Sequence, residues 1–148
     1  MNLKIAVLPG DGIGPEVTNE SIKVLKCIAD KYNHNIELSE GLVGAIAIDE
    51  YNDPYPDITH KLCEDSDAIL FGAIGDPKYD NDPKAKIRPE QGLLKMRKKL
   101  GLYANLRPTI IFESLLDMSP IKEDRISGTD ILFVRELTGG IYFGEPRG

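Results

Sequence analysis

Residues 3–16 read LKIAVLPGDGIGPE. Residues 3–8 are a short apolar run, rich in β-formers and closed at once by Pro9 and Gly10, which is the pattern of a buried strand. Pro15 then suits the first turn of a helix, where its missing N–H costs no hydrogen bond. Beyond it Val17, Val24, Leu25, Ile28 and Tyr32 recur at helical spacing, so an amphipathic helix is predicted over about 15–31. A strand, a glycine turn and a helix in that order open an α/β fold.

The same alternation continues outward. Residues 35–40 read as a second strand. Residues 51–56, YNDPYP, form a loop by their turn residues. Asp57 is a candidate N-cap for a short helix through about Cys63. Residues 68–71 make the next strand, closed by Gly72. The polar stretch 75–89 carries Pro77, Pro83 and Pro89 and predicts a long loop, and loops of that kind in compact domains are often functional. A helix follows over about 90–100, stopped by Gly101. Residues 103–111 are extended, although Pro108 keeps them off a central ladder position. Residues 131–134 predict another buried strand, Gly139-Gly140 a turn, and 141–143 the start of a further strand. The β-α-β-α order argues for a largely parallel sheet.

Composition narrows the function classes. The 148 residues are 41% hydrophobic and 28% charged, with a formal net charge of −6, as in a soluble globular protein. The one basic cluster, Arg97-Lys98-Lys99, is too small for a phosphate-tracking face, so no nucleic-acid partner is expected. No apolar run is long enough to span a bilayer, and the run at 5–8 is too short for a signal-peptide core. A cytoplasmic protein with no membrane partner is predicted. Cys27 and Cys63 lack the short Cys/His pairing of a zinc site and are expected to be reduced, mostly buried thiols. His34 and His60 stand apart from any ligand partner and read as surface or packing residues. No metal ligand is assigned in this chain.

Three motifs carry chemistry. GDGIGPE at 10–16 sits where a strand meets a helix, but a dinucleotide fingerprint needs G-x-G-x-x-G, and Pro15 occupies the last position. The acidic residue such a site wants at the end of a second strand is also missing, because Asp30 falls inside the helix. A Rossmann turn is therefore disfavoured. Two readings stay open: glycines that let an anion approach a helix N-terminus, or a tight strand–helix turn with no ligand. On the helix at 90–100, Glu90, Leu93 and Arg97 fall within roughly 60° of one another. They form either a site face or solvated charges beside a core leucine. Arg107, in YANLRP, and Arg135, closing the run 131–134, could join Arg97 as a fork for a small polycarboxylate, since planar guanidinium donors pair bidentately with carboxylates. The alternative for Arg135 is an internal salt bridge, for example with Glu136 or Glu113. Tyr142 follows Gly139-Gly140-Ile141. Near a cationic site its phenol would have a lowered pKa and could give up a proton; otherwise it packs.

Four stretches together carry a resemblance: LPGDGIGPEV (8–17), LFGAIGDPKYD (70–80), IRPEQGLLKMRKKLGLYANLRP (87–108) and VRELTGGIYFGEPRG (134–148). They resemble the β-hydroxyacid oxidative decarboxylases, the isocitrate/isopropylmalate dehydrogenase family, and within it the isopropylmalate branch. The resemblance implies an α/β fold of the family's own type, not a Rossmann fold, with the active site between two domains of a homodimer. It implies that 1–101 are the N-terminal half of the first domain, on the cofactor side. Residues 102–148 would open the second, central domain on the substrate and dimer side, cut short in the turn at 144–148. The activity implied is NAD-dependent oxidative decarboxylation of 3-isopropylmalate to 2-oxoisocaproate in leucine biosynthesis, assisted by Mg²⁺ or Mn²⁺. By the same resemblance Arg97, Arg107 and Arg135 bind the malate carboxylates, and Leu93 meets the isopropyl group. Tyr142 protonates the enol left after CO₂ loss, Glu90 faces the nicotinamide ribose, and Ile13 lies near the cofactor. The metal ligands, the lysine base and the adenine loop are expected further along the family's chains, so the 148 residues alone are expected to be inactive. Two rivals stand beside this reading: a relative acting on isocitrate, homoisocitrate or tartrate/malate, and a non-catalytic gene fragment. Leu93-Leu94 favours an alkyl-substituted malate over a third carboxylate.

Overall fold

The computed structural model of the chain describes residues 1–81 and 86–139. It divides into two compact units, Met1–Leu100 and Gly101–Gly148.

The first unit is built on a parallel sheet in the order β2-β1-β3, from β1 (Asn2–Gly10), β2 (Asn35–Glu40) and β3 (Ala68–Ala73). Ile5 lies opposite Leu38 on one side and Ala68 on the other. Ala6, Val7 and Leu8 are all buried although neighbours on a strand face opposite ways, so both faces of β1 are covered, as parallel sheets require. Ala6 and Leu8 join a cluster with Val43, Tyr55, Cys63 and Met96, which draws in α3 (Asp57–Glu64) and α5 (Pro89–Lys99). The helix α1 (Gly14–Tyr32) packs against β1 and β3.

The expected face of α1 is corrected. Val17, Val24, Ile28 and Tyr32 are exposed, and the helix seats on Gly14, Thr18 and Ala29, its buried residues. The cause is close approach: β-carbons at Gly10 and Gly14 would collide with the Ala73 and Pro9 carbonyl oxygens, so only small residues fit the seam. Cys27 is consequently exposed too, against the expectation of mostly buried thiols, whereas Cys63 is buried, and burial pushes its pKa up. Asp57 is not a cap. Pro56 holds that position, and the Asp57 carboxylate pairs with Lys99 at 2.6 Å instead.

Two helices were not expected, α2 (Ala45–Tyr51) and α4 (Pro77–Asp80), the latter inside the long polar loop. Asp76 caps α4 by accepting from the Lys78 N–H at 2.8 Å. Asp49 of α2 then accepts from Lys78 Nζ and from the Tyr79 hydroxyl, each at 2.7 Å.

The second unit is an antiparallel ribbon of β4 (Ala104–Ile110) and β5 (Asp130–Glu136), with a 3-10 turn (Glu113–Met118) and α6 (Glu123–Ile126) between them. Pro108 pairs with Leu132, on a strand whose other edge is unpaired among the described residues, as its missing N–H demands. The expectation of a buried strand at 131–134 is wrong in one respect: every residue of β5 is exposed, because, among the described residues, a two-stranded ribbon has no second sheet layer within its own unit to cover it.

Candidate functional site

The sheet order brings two loops together. The chain leaves β1 for β2 on one side and then crosses to β3 on the other, so the loops after β1 and β3 are neighbours at their carboxyl ends, the end at which open α/β sheets bind ligands. Here the Asp11 N–H donates to the Ala73 carbonyl at 2.7 Å and joins the two loops. Gly12 and Gly75 lie where they meet. A β-carbon on Gly12 would stand 3.3 Å from the Gly75 carbonyl oxygen, and one on Gly75 would stand 3.5 Å from Glu90 Oε1.

The turn itself makes a poor anion cradle. Gly14 N–H already donates to the Asp11 carbonyl at 2.8 Å and Val17 N–H to that of Ile13 at 3.1 Å. Pro15 has no N–H to offer, and Glu16 puts a carboxylate in the first turn. Of the two readings of GDGIGPE, internal close approach accounts for Gly10 and Gly14. What the turn does present is Ile13, which precedes the first turn of α1 and is 63% exposed.

Helix α5 carries the second group. Glu90 is exposed in its first turn. Leu93 is half-buried and packs against the core cluster. Arg97 is half-buried in the last turn beside Lys98 and Lys99, where cations complement the helix dipole. Their shared arc therefore runs along the margin between core and solvent. The core contact of Leu93 is the packing alternative realised in part, with the rest of its side chain accessible.

In the ribbon, Asn105 lies opposite Arg135 and Arg107 opposite Phe133. Side chains directly opposite share a face, and so do those two residues apart on one strand. Arg107 and Arg135 are thus diagonal neighbours on one face, about 7–8 Å apart at the backbone by ordinary strand geometry, with Phe133 and Thr109 beside them. Arg107 Nε donates to Asn105 Oδ1 at 2.7 Å. That bond steadies the guanidinium and leaves its two terminal nitrogens to face a bidentate acceptor. Glu136, one residue on, bends over the chain that follows. Its carboxylate accepts from the Thr138 hydroxyl and N–H and from the Gly139 N–H. The Thr138 hydroxyl first, then the backbone donors, holds its pKa below the usual carboxylate value. Tyr142 lies outside the described residues.

No three His, Cys, Asp or Glu side chains come together as a metal would require, among the described residues. No helix there is long and apolar enough to cross a membrane. His60 packs edge-on to Tyr55 and His34 stacks on Tyr32, both in packing roles.

The sequence profile described as isocitrate/isopropylmalate dehydrogenase matches residues 4–148. The chain belongs to the isocitrate/isopropylmalate dehydrogenase family. Among its relatives, the 3-isopropylmalate dehydrogenase of Rhodopirellula baltica is 56% identical over 145 residues, 98% of this chain and 40% of that protein. That of Bacillus subtilis is 53% identical over 146 residues, 99% of this chain and 40% of that protein. The crystal structure of isocitrate dehydrogenase from Methylococcus capsulatus superposes with a TM-score of 0.72 at 28% identity, covering 95% of this chain and 36% of that one. The isocitrate/isopropylmalate dehydrogenase fold is thereby the fold of this chain, which spans about two-fifths of the length of the curated relatives it matches.

Sequence reasoning missed Asp11. Its carboxylate is buried and accepts from the N–H groups of Ala45 at 2.7 Å, Ile46 at 3.1 Å and Gly75 at 3.3 Å. The signal available was an acidic residue between two glycines at a strand end, where a short carboxylate can accept from nearby backbone N–H groups.

Proposed function

We propose that this chain is part of an NAD-dependent 3-isopropylmalate dehydrogenase, a cytoplasmic homodimeric enzyme of leucine biosynthesis that forms 2-oxoisocaproate. The observation that carries the reading is the pair Arg107 and Arg135 on one face of the β4–β5 ribbon, in a chain whose relatives include 3-isopropylmalate dehydrogenases at 52–56% identity. A malate skeleton carries two carboxylates, and the paired guanidinium forks suit them better than single charges would. Arg97 supplies a third cation and Leu93 an apolar wall for the isopropyl group. Ile13 lies on the turn after β1 and Glu90 beside Gly75 of the loop after β3, and they suit the nicotinamide ribose, Ile13 by apolar contact and Glu90 as a hydrogen-bond acceptor. NAD would supply the hydride acceptor for oxidation at the carbon that bears the hydroxyl. Tyr142 gives its phenolic proton to the enol carbon after CO₂ departs. Mg²⁺ or Mn²⁺ belongs to the same reading, but the described residues do not assemble its ligands.

The test is a graft. Residues 1–148 replace the matching segment of the Bacillus subtilis 3-isopropylmalate dehydrogenase, and NADH formation is followed with 3-isopropylmalate, isocitrate and malate. Turnover of 3-isopropylmalate within about tenfold of the parent, a barrier change of about 1.4 kcal/mol, is expected, with isocitrate far behind. A graft that folds as the parent does yet prefers isocitrate, or turns nothing over, overturns the reading. The 148-residue chain by itself is expected to form no NADH under the same conditions.

A further inference from the structure

We infer that Asp11 is a positioning residue for the cofactor-facing edge of this unit. The inference rests on the functional reading above and adds a residue to it.

The geometry is that of a buried three-way junction. The Asp11 carboxylate is 6% exposed, and three backbone N–H groups from two separate segments converge on it. Ala45 and Ile46 open α2, a helix without any local side-chain cap. Gly75 lies in the loop that leaves β3, two residues past its end. The backbone of Asp11 also holds the end of β3, through its N–H to the Ala73 carbonyl at 2.7 Å. One residue thus ties the turn that carries Ile13, the start of α2 and the loop whose Gly75 abuts Glu90. A buried carboxylate is costly to desolvate and is tolerated where charge-assisted hydrogen bonds replace water. Gly44 fits the same account. Its φ is +84°, and a β-carbon there would collide with Asp11 Oδ2. The junction needs both an acceptor at 11 and an absent side chain at 44.

The second tie on the same loop is Asp49, which holds Lys78 and Tyr79 from the middle of α2. Because Asp11 fixes where α2 starts, it fixes where Asp49 stands. The loop over 74–81 is therefore set relative to Ile13 through Asp11, and misplacing its carboxylate moves both that loop and the start of α2. Asp11 contacts neither cofactor nor substrate in this account. It acts through Gly75 and α2.

The test uses the graft with Asp11→Ala, which removes the acceptor from all three N–H groups, and separately with Gly44→Ala, which crowds the carboxylate from the other side. Both are expected to raise KM for NAD about 5–20-fold while kcat and KM for 3-isopropylmalate stay within about twofold, the signature of lost cofactor binding alone. The double variant should be little worse than either single one, because both break one junction. In the 148-residue chain, amide exchange at Ala45, Ile46 and Gly75 should quicken together in both variants. An unchanged NAD KM in either folded variant of an active graft overturns the positioning role, and so does an unchanged Gly75 exchange rate. A graft that is inactive before any substitution counts instead against the functional reading, and the exchange measurement still decides the role of Asp11.

Discussion

The parallel sheet of the first unit and the ribbon of the second are held in opposite ways. In the sheet, Ala6, Val7 and Leu8 are buried from both sides, and side-chain packing holds the backbone. In the ribbon, Leu106, Leu132, Phe133 and Val134 are all more than half exposed, and the backbone ladder holds the side chains in register. One region teaches what stabilises the chain, the other what the chain displays. Substitutions should therefore cost stability in the first and function in the second.

The largest contrast is expected from Leu8→Ala. Removing a fully buried leucine should lower unfolding stability of the first unit by about 3 kcal/mol, whereas Leu132→Ala, at 56% exposure, should stay within about 1 kcal/mol. Urea melts followed by circular dichroism compare the two, and equal losses would erase the distinction. Next, Arg135→Lys in the graft should leave the melt unchanged and lower kcat/KM for 3-isopropylmalate about 30–1000-fold, since a point charge replaces a fork at a desolvated contact. A fall of less than threefold would return Arg135 to an internal ion pair.

Leu93 sits between the two regimes, because it touches the core cluster and keeps an accessible side. Leu93→Ser should cut the preference for 3-isopropylmalate over malate about 5–30-fold, as expected for loss of one apolar wall, and should also lower stability modestly. If both substrates suffer equally, the residue is core alone. The smallest effect belongs to Asp49. Its carboxylate lies below its ordinary value of 3.8 because Lys78, then Tyr79, hydrogen-bond it, and the Lys78 ammonium lies above its ordinary 10.5 because of Asp49. A depressed acid contributes above its unfolded pKa and loses that contribution as pH falls through the folded one. A raised base contributes below its unfolded pKa and loses it as pH rises through the folded one. The tether of α4 should therefore hold through neutral pH and loosen at both extremes. Proteolysis near Lys78 should quicken in Asp49→Asn at pH 7, and an unchanged rate would show that the loop needs no such tie.

The contrast also explains what could be read from the sequence. The strand at 2–10 and the helices α1 and α5 were legible because their signals are local: an apolar run closed by Pro9, a proline in a first turn, a glycine stop at 101. The helix α2 was not, because its cap, Asp11, comes from 34 residues away, and the segment before it shows only a glycine. The face of α1 was misread because periodicity finds the apolar stripe, while the seam is chosen by backbone approach at Gly10 and Gly14. Burial of β5 was misread because an apolar run looks the same whether or not another layer covers it. The three arginines were proposed by residue type. That Arg107 and Arg135 share a face depends on pairing Asn105 with Arg135, which no local pattern reveals.

That pairing has a consequence for how such a segment can change over time. The cationic row of Arg107 and Arg135 and the apolar row of Leu106, Leu132 and Val134 occupy opposite faces of one ribbon, separated only by odd and even position. Point substitutions leave that parity intact. A one-residue insertion or deletion inside β4 or β5 does not: it carries everything beyond it to the other face, parting Arg107 from Arg135 without altering either. Away from the two arginines the ribbon can drift in composition while its spacing stays frozen, so length variation between members should collect in residues 111–129 and avoid the strands they join.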